Sequence, residues 1–259
     1  MTFDEYRAIE AVNWSTLVSI LDSPKHYQHA LKTPKTETAA MRFGRAIHTA
    51  ILEPQRLLLD CAVWQGGRRD GKKWDEFFNA NLGKTIITLA EHTDLLAIGV
   101  AVREHPVAAD HLLVGEAEFP VVWTDPKTEI ACKCRVDWFS DKHAALVDLK
   151  STASTDFDSF GKTSANLKYH AKLAFYMRGL QETGRNPKDC LIISVEQSAP
   201  YDVVVFQLDE DVLYFGDKLV SMALNQLAMC RQYGVWPGRS DGIEQLRLPA
   251  WHMKHEGDE

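Results

Sequence analysis

Long apolar runs are absent from this sequence of 259 residues. No stretch of about 18 uninterrupted apolar residues occurs, which argues against a transmembrane helix. The first five residues are acidic and lack the basic-then-apolar layout of a signal peptide. We therefore expect a cytoplasmic protein that has no membrane partner.

The five cysteines lack the regular spacing of a disulfide framework. Their odd number suits free thiols in a reducing compartment. Cys132 and Cys134 have the spacing of half a metal site, but no second cysteine or histidine pair lies at a zinc-like distance. We expect these two to be small side chains on one face of a strand.

Linkers rich in glycine, serine or proline are also absent, and the chain has no internal repeat. Its hydrophobic content of 45% is enough for a substantial core. We expect one domain over residues 1–259, with a mainly helical part at 1–115, a core at 116–235 and a tail at 236–259. The net charge of −7 leaves nucleic acid possible as a partner, because binding depends on local basic surface.

Periodicity and turn signals predict an α/β (α+β) fold, with a central mixed β-sheet flanked by helices. The predicted helices are residues 13–31 (with a break at Ser23-Pro24), 38–52, 73–81, 88–104, 164–181 and 209–233. The predicted strands are residues 117–123, 129–139, 144–150, 189–196 and 201–207. The basic, glycine-rich stretch at 66–73 predicts an exposed loop.

Two acidic residues and a lysine fall on neighbouring strands. Asp148 and Lys150 point to the same face, because side chains alternate along a strand. If residues 138–140 pair with 145–147, Asp137 lies directly opposite Asp148, with side-chain origins about 4.5–5.5 Å apart. We expect the carboxylates and the lysine to face solvent and a bound cation, since two carboxylates at that distance repel each other.

A hard divalent cation would relieve this repulsion. Magnesium prefers oxygen ligands and also binds phosphate oxygens, and metal-bound water loses its proton more readily. Lys150 would orient or deprotonate that water, or neutralise charge developing on a phosphate. A cross-strand salt bridge is the alternative, because an isolated Asp-x-Lys tripeptide is common.

Further segments occur in the order found in one known family. They are Phe43-Gly44-Arg45-Ala46-Ile47-His48, Glu118-Phe119-Pro120-Val121-Val122-Trp123, Val136-Asp137, Asp148-Leu149-Lys150 and Lys168-Tyr169-His170-Ala171-Lys172-Leu173-Ala174-Phe175-Tyr176. Over residues 12–235 the sequence resembles the RecB-like branch of the PD-(D/E)XK nucleases, most closely the exonuclease VIII (RecE-like) and related phage and prophage exonucleases. Val136 stands where the family name has proline, and Lys172 stands where glutamine is expected.

The resemblance implies a role for individual residues. The implied catalytic residues are Lys150, Asp148, Asp137 and Glu118, with Glu116 or Glu129 as alternatives to Glu118. The implied metal ligands are His48, Asp137, Asp148 and the carbonyl of Leu149. The candidate DNA contacts are Tyr176, Lys172, Tyr169, Arg45, Arg42, Ser151 and Thr152. Taken alone, His48 reads as a core histidine and Tyr169 and Tyr176 as core aromatics.

The resemblance also implies an activity and a setting. It implies a Mg²⁺-dependent exonuclease, with Mn²⁺ as a substitute, that degrades linear double-stranded DNA from 5′ to 3′ and leaves 3′ overhangs. It implies a homo-oligomeric ring (trimer or tetramer) and a single-strand annealing partner, in a bacterial host cell and of phage or prophage origin. Only Cys190 and Cys230 occur late in the chain, so no iron–sulfur cluster is expected. An endonuclease, a single-strand exonuclease and a catalytically silent DNA-binding protein are the alternatives.

Overall fold

The computed structural model describes residues 1, 3–33 and 36–248. Its α-helices are α1 (Phe3–Ala8), α2 (Trp14–Leu17), α3 (Pro24–Lys32), α4 (Ala39–Leu52), α5 (Leu57–Asp60), α6 (Gly71–Ala80), α7 (Leu89–Glu104), α8 (Pro106–His111), α9 (Phe157–Asn166), α10 (Tyr169–Glu182) and α11 (Glu210–Tyr233). Its strands are β1 (Cys61–Trp64), β2 (Thr85–Thr88), β3 (Gly115–Thr124), β4 (Ala131–Ser140), β5 (Ala145–Thr152), β6 (Asp189–Glu196) and β7 (Val203–Gln207). Short 3₁₀ segments occur at Val18–Leu21 and Pro54–Arg56.

The main sheet has five strands in the order β3-β4-β5-β6-β7. Strands β5 and β6 run parallel, whereas the other neighbouring pairs run antiparallel. A second, two-stranded parallel sheet pairs β1 with β2. The predicted mixed sheet with flanking helices is confirmed.

Hydrophobic clusters cover both faces of the main sheet. Leu146 belongs to the cluster formed with α10 and α11, while Val147 and Leu149 belong to the cluster formed with α4 and α7. This division follows from the alternation of side chains along β5. Cys132 and Cys134 are both buried in the first cluster, as predicted for two small residues on one strand face.

Polar residues at the helix ends explain several boundaries. Asn13 caps α2 by accepting a hydrogen bond from the Thr16 amide, and Ser23 caps α3 in the same way ahead of Pro24. Thr88 starts α7 with a reciprocal capping box. Gly234 ends α11 in the left-handed conformation that glycine adopts without strain.

Two predicted boundaries are wrong. The helix predicted at 164–181 is two helices, because Asp156 caps α9 and Lys168 adopts a left-handed conformation before α10. The loop predicted at 66–73 is shorter, because α6 already begins at Gly71. Helices α1, α5 and α8 and the small sheet were not predicted.

The tail predicted at 236–259 lies outside the described residues from residue 249 onward. Across the ranges that the structure describes, no helix combines the length and apolar character needed to cross a membrane.

Candidate active site

Strands β4 and β5 bring the two aspartates together. The strands pair from Ser140–Ala145 to Trp138–Val147, which is the predicted register. Beyond the Trp138–Val147 pair, the Leu149 amide donates a hydrogen bond to the Asp137 carboxylate at 3.1 Å. The Asp137 side chain is therefore fixed against β5, next to Asp148.

The strand alternation is broken at Asp137. Val136 packs in the cluster beneath α10 and α11, whereas Trp138, two residues later, packs against the opposite cluster. Beside this break, Glu118 of β3 has a φ of 50°, a left-handed conformation that is uncommon outside glycine. Such strained positions are found at functional sites, and both Asp137 and Glu118 line a cleft here.

Asp148 is the most enclosed acidic group of the site, with 1% of its side chain exposed. It forms an ion pair with Lys150, and the Lys172 ammonium donates to its Oδ1 at 2.7 Å. Burial alone would raise the pKa of Asp148, but the two ammonium groups outweigh it and hold that pKa well below its usual range.

The expectation that Asp148 and Lys150 face solvent is wrong, since only 15% of the Lys150 side chain is exposed. The reason is that their strand face lies under α10, which also carries Lys172.

Lys150 links the parts of the site. Its ammonium donates to the Leu149 carbonyl at 3.2 Å, lies 3.9 Å from Asp137 Oδ2 and lies 5.2 Å from the centre of the Tyr169 ring. Burial lowers the pKa of Lys150, although the charge of Asp148 opposes the shift. A buried lysine with a lowered pKa exchanges its proton more readily.

His48 reaches the site from α4 on the other side of the cleft. Its Nδ1 lies 3.8 Å from Asp137 Oδ2. Burial lowers the pKa of His48, while the charge of Asp137 acts in the opposite direction. A neutral imidazole keeps a ring nitrogen lone pair that a metal ion requires.

Among the three candidate accessory acids, Glu118 has the position closest to the two aspartates. It lines the cleft and forms an ion pair with Arg135 at 2.5 Å. Burial raises its pKa to about 7, and the charge of Asp137 contributes to that rise. Glu116 instead pairs with Arg185, and Glu129 is an exposed residue of the turn before β4.

The site opens into a cleft of about 940 Å³. Five of the candidate DNA contacts line it, namely Arg45, Ser151, Tyr169, Lys172 and Tyr176. The other two have different surroundings. Arg42 lies near Arg69, whose pKa it affects, and the Thr152 hydroxyl donates to the Ser154 carbonyl.

Gln197 is a polar residue of the cleft that the sequence reasoning missed. It follows β6 directly, and its amide donates to the Ser151 hydroxyl at 2.9 Å. The carboxyl ends of the parallel strands β5 and β6 meet at the same edge of the sheet, so the residue after β6 lies beside the end of β5. That rule would have identified Gln197.

The donor types of the site suit a divalent cation. His48, Asp137, Asp148 and the Leu149 carbonyl provide one nitrogen and several oxygen donors. Within the described part of the chain, no three His, Cys, Asp or Glu side chains converge on a single point as a metal cage would. The two aspartates are instead balanced by the ammonium groups of Lys150 and Lys172.

A mixed sheet that carries two aspartates and a lysine on neighbouring strands is typical of the PDDEXK-like class, whose nucleases generally use divalent metal ions. The family described as "PDDEXK-like domain of unknown function (DUF3799)" matches residues 13–249, and the chain belongs to that family. The class therefore agrees with the resemblance seen in the sequence and indicates a nuclease.

Solved structures provide a second comparison. The chain is similar to a proposed exonuclease from Eubacterium rectale, with a TM-score of 0.67 and 13% identity over 99% of this chain and 98% of that one. A phage-related exonuclease from Haemophilus somnus 129PT aligns with a TM-score of 0.39 and 13% identity, over 89% and 100% of the two chains. The first similarity shows a shared fold, and the second is too weak for an argument. No curated protein matches the chain.

Proposed function

We propose that this chain is a Mg²⁺-dependent exodeoxyribonuclease, with Mn²⁺ as a substitute, that acts on linear double-stranded DNA. The observation that carries the proposal is the meeting of Asp137, Asp148 and Lys150 beside a cleft that Asp137 and His48 line. Two carboxylates, an imidazole and an ammonium group suit metal-assisted phosphodiester hydrolysis. The PDDEXK-like family supports the same chemistry.

The side chains have separate roles in this proposal. His48, Asp137 and Asp148, together with the Leu149 carbonyl, would hold the cation, which when bound lowers the pKa of water and neutralises phosphate charge. Lys150 orients the attacking water or stabilises the charge that develops on the phosphate.

The wider cleft positions the substrate. Arg45 and Lys172 contact phosphates, and Tyr169 and Tyr176 hold the strand against the site. Phosphate contacts of this kind fix the strand without reading its sequence. Glu118, with its pKa of about 7, would help to position a second cation or its water.

The polarity and setting follow from the resemblance to exonuclease VIII-like proteins. We propose degradation from 5′ to 3′, 3′ overhangs and recombination through a single-strand annealing protein. We also propose a homo-oligomeric ring (trimer or tetramer), one domain per chain and a phage or prophage origin in the cytoplasm of a bacterial host.

A digestion experiment tests this function. Linear duplex DNA labelled at its 5′ or 3′ ends, covalently closed circular DNA and single-stranded DNA are incubated with the chain and Mg²⁺, with EDTA as the metal control. We expect loss of the linear duplex alone, early release of the 5′ label and retention of the 3′-ended strand.

Any other result would assign a different activity to this chain. Cutting of the closed circle indicates an endonuclease, and digestion of single strands alone indicates a single-strand exonuclease. DNA binding without any metal-dependent cleavage indicates a catalytically silent DNA-binding protein.

A further inference from the structure

Residues 61–88, which form β1, α6 and β2 and are called the aromatic lobe here, carry aromatic rings that the rest of the protein does not bury. Trp74, Phe77 and Phe78 share one face of α6 at i, i+3 and i+4. Trp64 of β1 packs on them, with ring centroids 5.4 Å from Trp74 and 5.1 Å from Phe77. No residue of α6 is buried, and Phe78 is 45% exposed. A helix usually buries its apolar face, so this face is available to a ligand.

The aromatic lobe is locally basic in an acidic protein. It contains five basic and three acidic residues, whereas the whole chain has a net charge of −7. Arg68, Lys73 and Lys84 are exposed, and none has an ion-pair partner among the described residues. Arg69 also lies 5.6 Å from the centre of the Trp74 ring. Aromatic rings and exposed cations in one lobe match a polyanion that also has planar rings.

Basic residues connect the aromatic lobe to the cleft. Helix α4 packs against β2, and Arg45 on α4 lines the cleft. Burial raises the pKa of the Cys61 thiol, and the nearby charges of Arg45 and Lys84 oppose that rise. Burial lowers the pKa of Arg69, and the nearby charge of Arg42 lowers it further. Arg45 and Lys84 therefore both lie near Cys61, and Arg42 lies near Arg69, so cations of α4 lie close to cations of the lobe.

We propose that the aromatic lobe binds an unpaired DNA strand beside the cleft, with Phe78 and Trp74 stacking on bases and Arg68, Lys73 and Lys84 contacting phosphates. In a duplex the bases are already stacked on each other, so exposed rings favour a single strand. This inference rests on the proposed function, because removing one strand of a duplex leaves the other unpaired next to the site.

The test measures binding of a fluorescent oligothymidylate of about 20 nucleotides, a length that covers typical single-strand sites, by anisotropy at several NaCl concentrations. The parent is Lys150→Gln, which keeps the DNA intact. Phe78→Ala in this parent is expected to weaken binding about tenfold, the loss of one stacked base. The triple variant Arg68→Gln/Lys73→Gln/Lys84→Gln is expected to reduce the slope of log affinity against log salt by about 2, since each phosphate contact contributes about 0.7.

Matched controls remove the same groups from another exposed surface. Phe215→Ala removes a ring that is 61% exposed on α11. Lys127→Gln/Lys188→Gln/Lys218→Gln removes three exposed charges outside the aromatic lobe. Both controls are expected to bind as the parent does. All of the positions that differ from the Lys150→Gln parent are exposed, and thermal melts equal to that of the parent by circular dichroism verify that the variants fold.

Three results would overturn the inference. If the parent binds the oligonucleotide and the lobe variants bind it equally well, the lobe has no role, while the proposed function stands. If the lobe variants bind normally but change the oligomeric state in light scattering, the face is a protein contact. If the parent binds no DNA and the unmodified chain cleaves none, the proposed function itself fails.

Discussion

The cleft and the aromatic lobe use charge in opposite ways. In the cleft, the carboxylate of Asp148 is enclosed and contacts the ammonium groups of Lys150 and Lys172. In the lobe, Arg68 and Lys73 lie in solvent and have no ion-pair partner in the part of the chain that the structure describes. A ligand of the cleft must therefore replace existing ion pairs, whereas a ligand of the lobe meets charges that are already available.

The two environments also differ in energy. Removing one member of a buried ion pair typically costs about 3–5 kcal/mol, because a buried charge loses its partner. An exposed ion pair contributes about 0–1 kcal/mol. The same change of charge should thus have large effects in the cleft and small effects in the lobe, and the four predictions below test that difference.

The largest effect is expected for Lys150→Gln. The change removes the ammonium nearest to both aspartates, so cleavage of linear duplex should fall by about 10²–10⁴-fold, the usual contribution of such a group. Gel digestion with Mg²⁺ measures the rate, and Lys188→Gln, at an exposed position, is the control. An unchanged rate in Lys150→Gln would show that the role assigned to this lysine is incorrect.

Removal of the Asp148 carboxylate should affect folding as well as activity. Asp148→Ala leaves Lys150 and Lys172 without their shared counter-charge, so the free energy of unfolding should drop by about 3–5 kcal/mol. Arg68→Gln in the lobe should change it by no more than about 0.5 kcal/mol. Urea denaturation in EDTA measures both, and similar losses in the two variants would contradict the contrast between the regions.

The sequence was sufficient to predict the meeting of the two aspartates. A strand repeats every two residues, so the short turn between β4 and β5 determines which residues face each other. The same alternation predicted that Cys132 and Cys134 share a face. These features depend on local pairing only.

The contact between Lys172 and Asp148 was beyond sequence reasoning. It depends on where α10 crosses the sheet, and that position is set by the break at Lys168 and by packing against α11. The small sheet was missed because its four-residue strands are too short for a periodic signal. The Lys172–Asp148 contact and the small sheet are both determined by tertiary packing, which leaves no local pattern in the sequence.

The third prediction concerns the pH dependence of stability at the edge of the cleft. Burial raises the pKa of Glu118 from 4.5 to about 7, so between these values the folded chain holds a proton that the unfolded chain has released. The resulting stability is present below pH 4.5 and is lost as the pH rises through 7, by up to about 3 kcal/mol. Urea denaturation from pH 4.5 to 8 should show this loss in the unmodified chain and not in Glu118→Gln. Glu116→Gln, an exposed position of the same strand, is the control, and parallel curves for all three proteins would refute the assignment.

The smallest effect, and the most specific to this chain, is expected at Lys172. The lysine stands where the resembling family has glutamine, and its ammonium holds the Asp148 carboxylate at 2.7 Å. A divalent cation that uses Asp148 must share that carboxylate with the ammonium or displace it, and either alternative weakens metal binding. Lys172→Gln keeps a hydrogen-bond donor and removes the charge, so it should bind Mn²⁺ about tenfold more tightly in calorimetry without DNA.

Lys162→Gln provides the matched control, because it removes an exposed lysine of α9 and should leave Mn²⁺ affinity unchanged. An equal gain in both variants would mean that net charge alone governs the affinity. Weaker binding in Lys172→Gln would mean that the lysine positions Asp148 for the cation instead of competing with it. The measurement requires neither DNA nor cleavage. It therefore reports the effect of the Lys172 charge on metal binding independently of catalysis. A tenfold gain confined to Lys172→Gln would show that the buried ammonium of Lys172, unlike the exposed cations of the lobe, acts against the cation that its site binds.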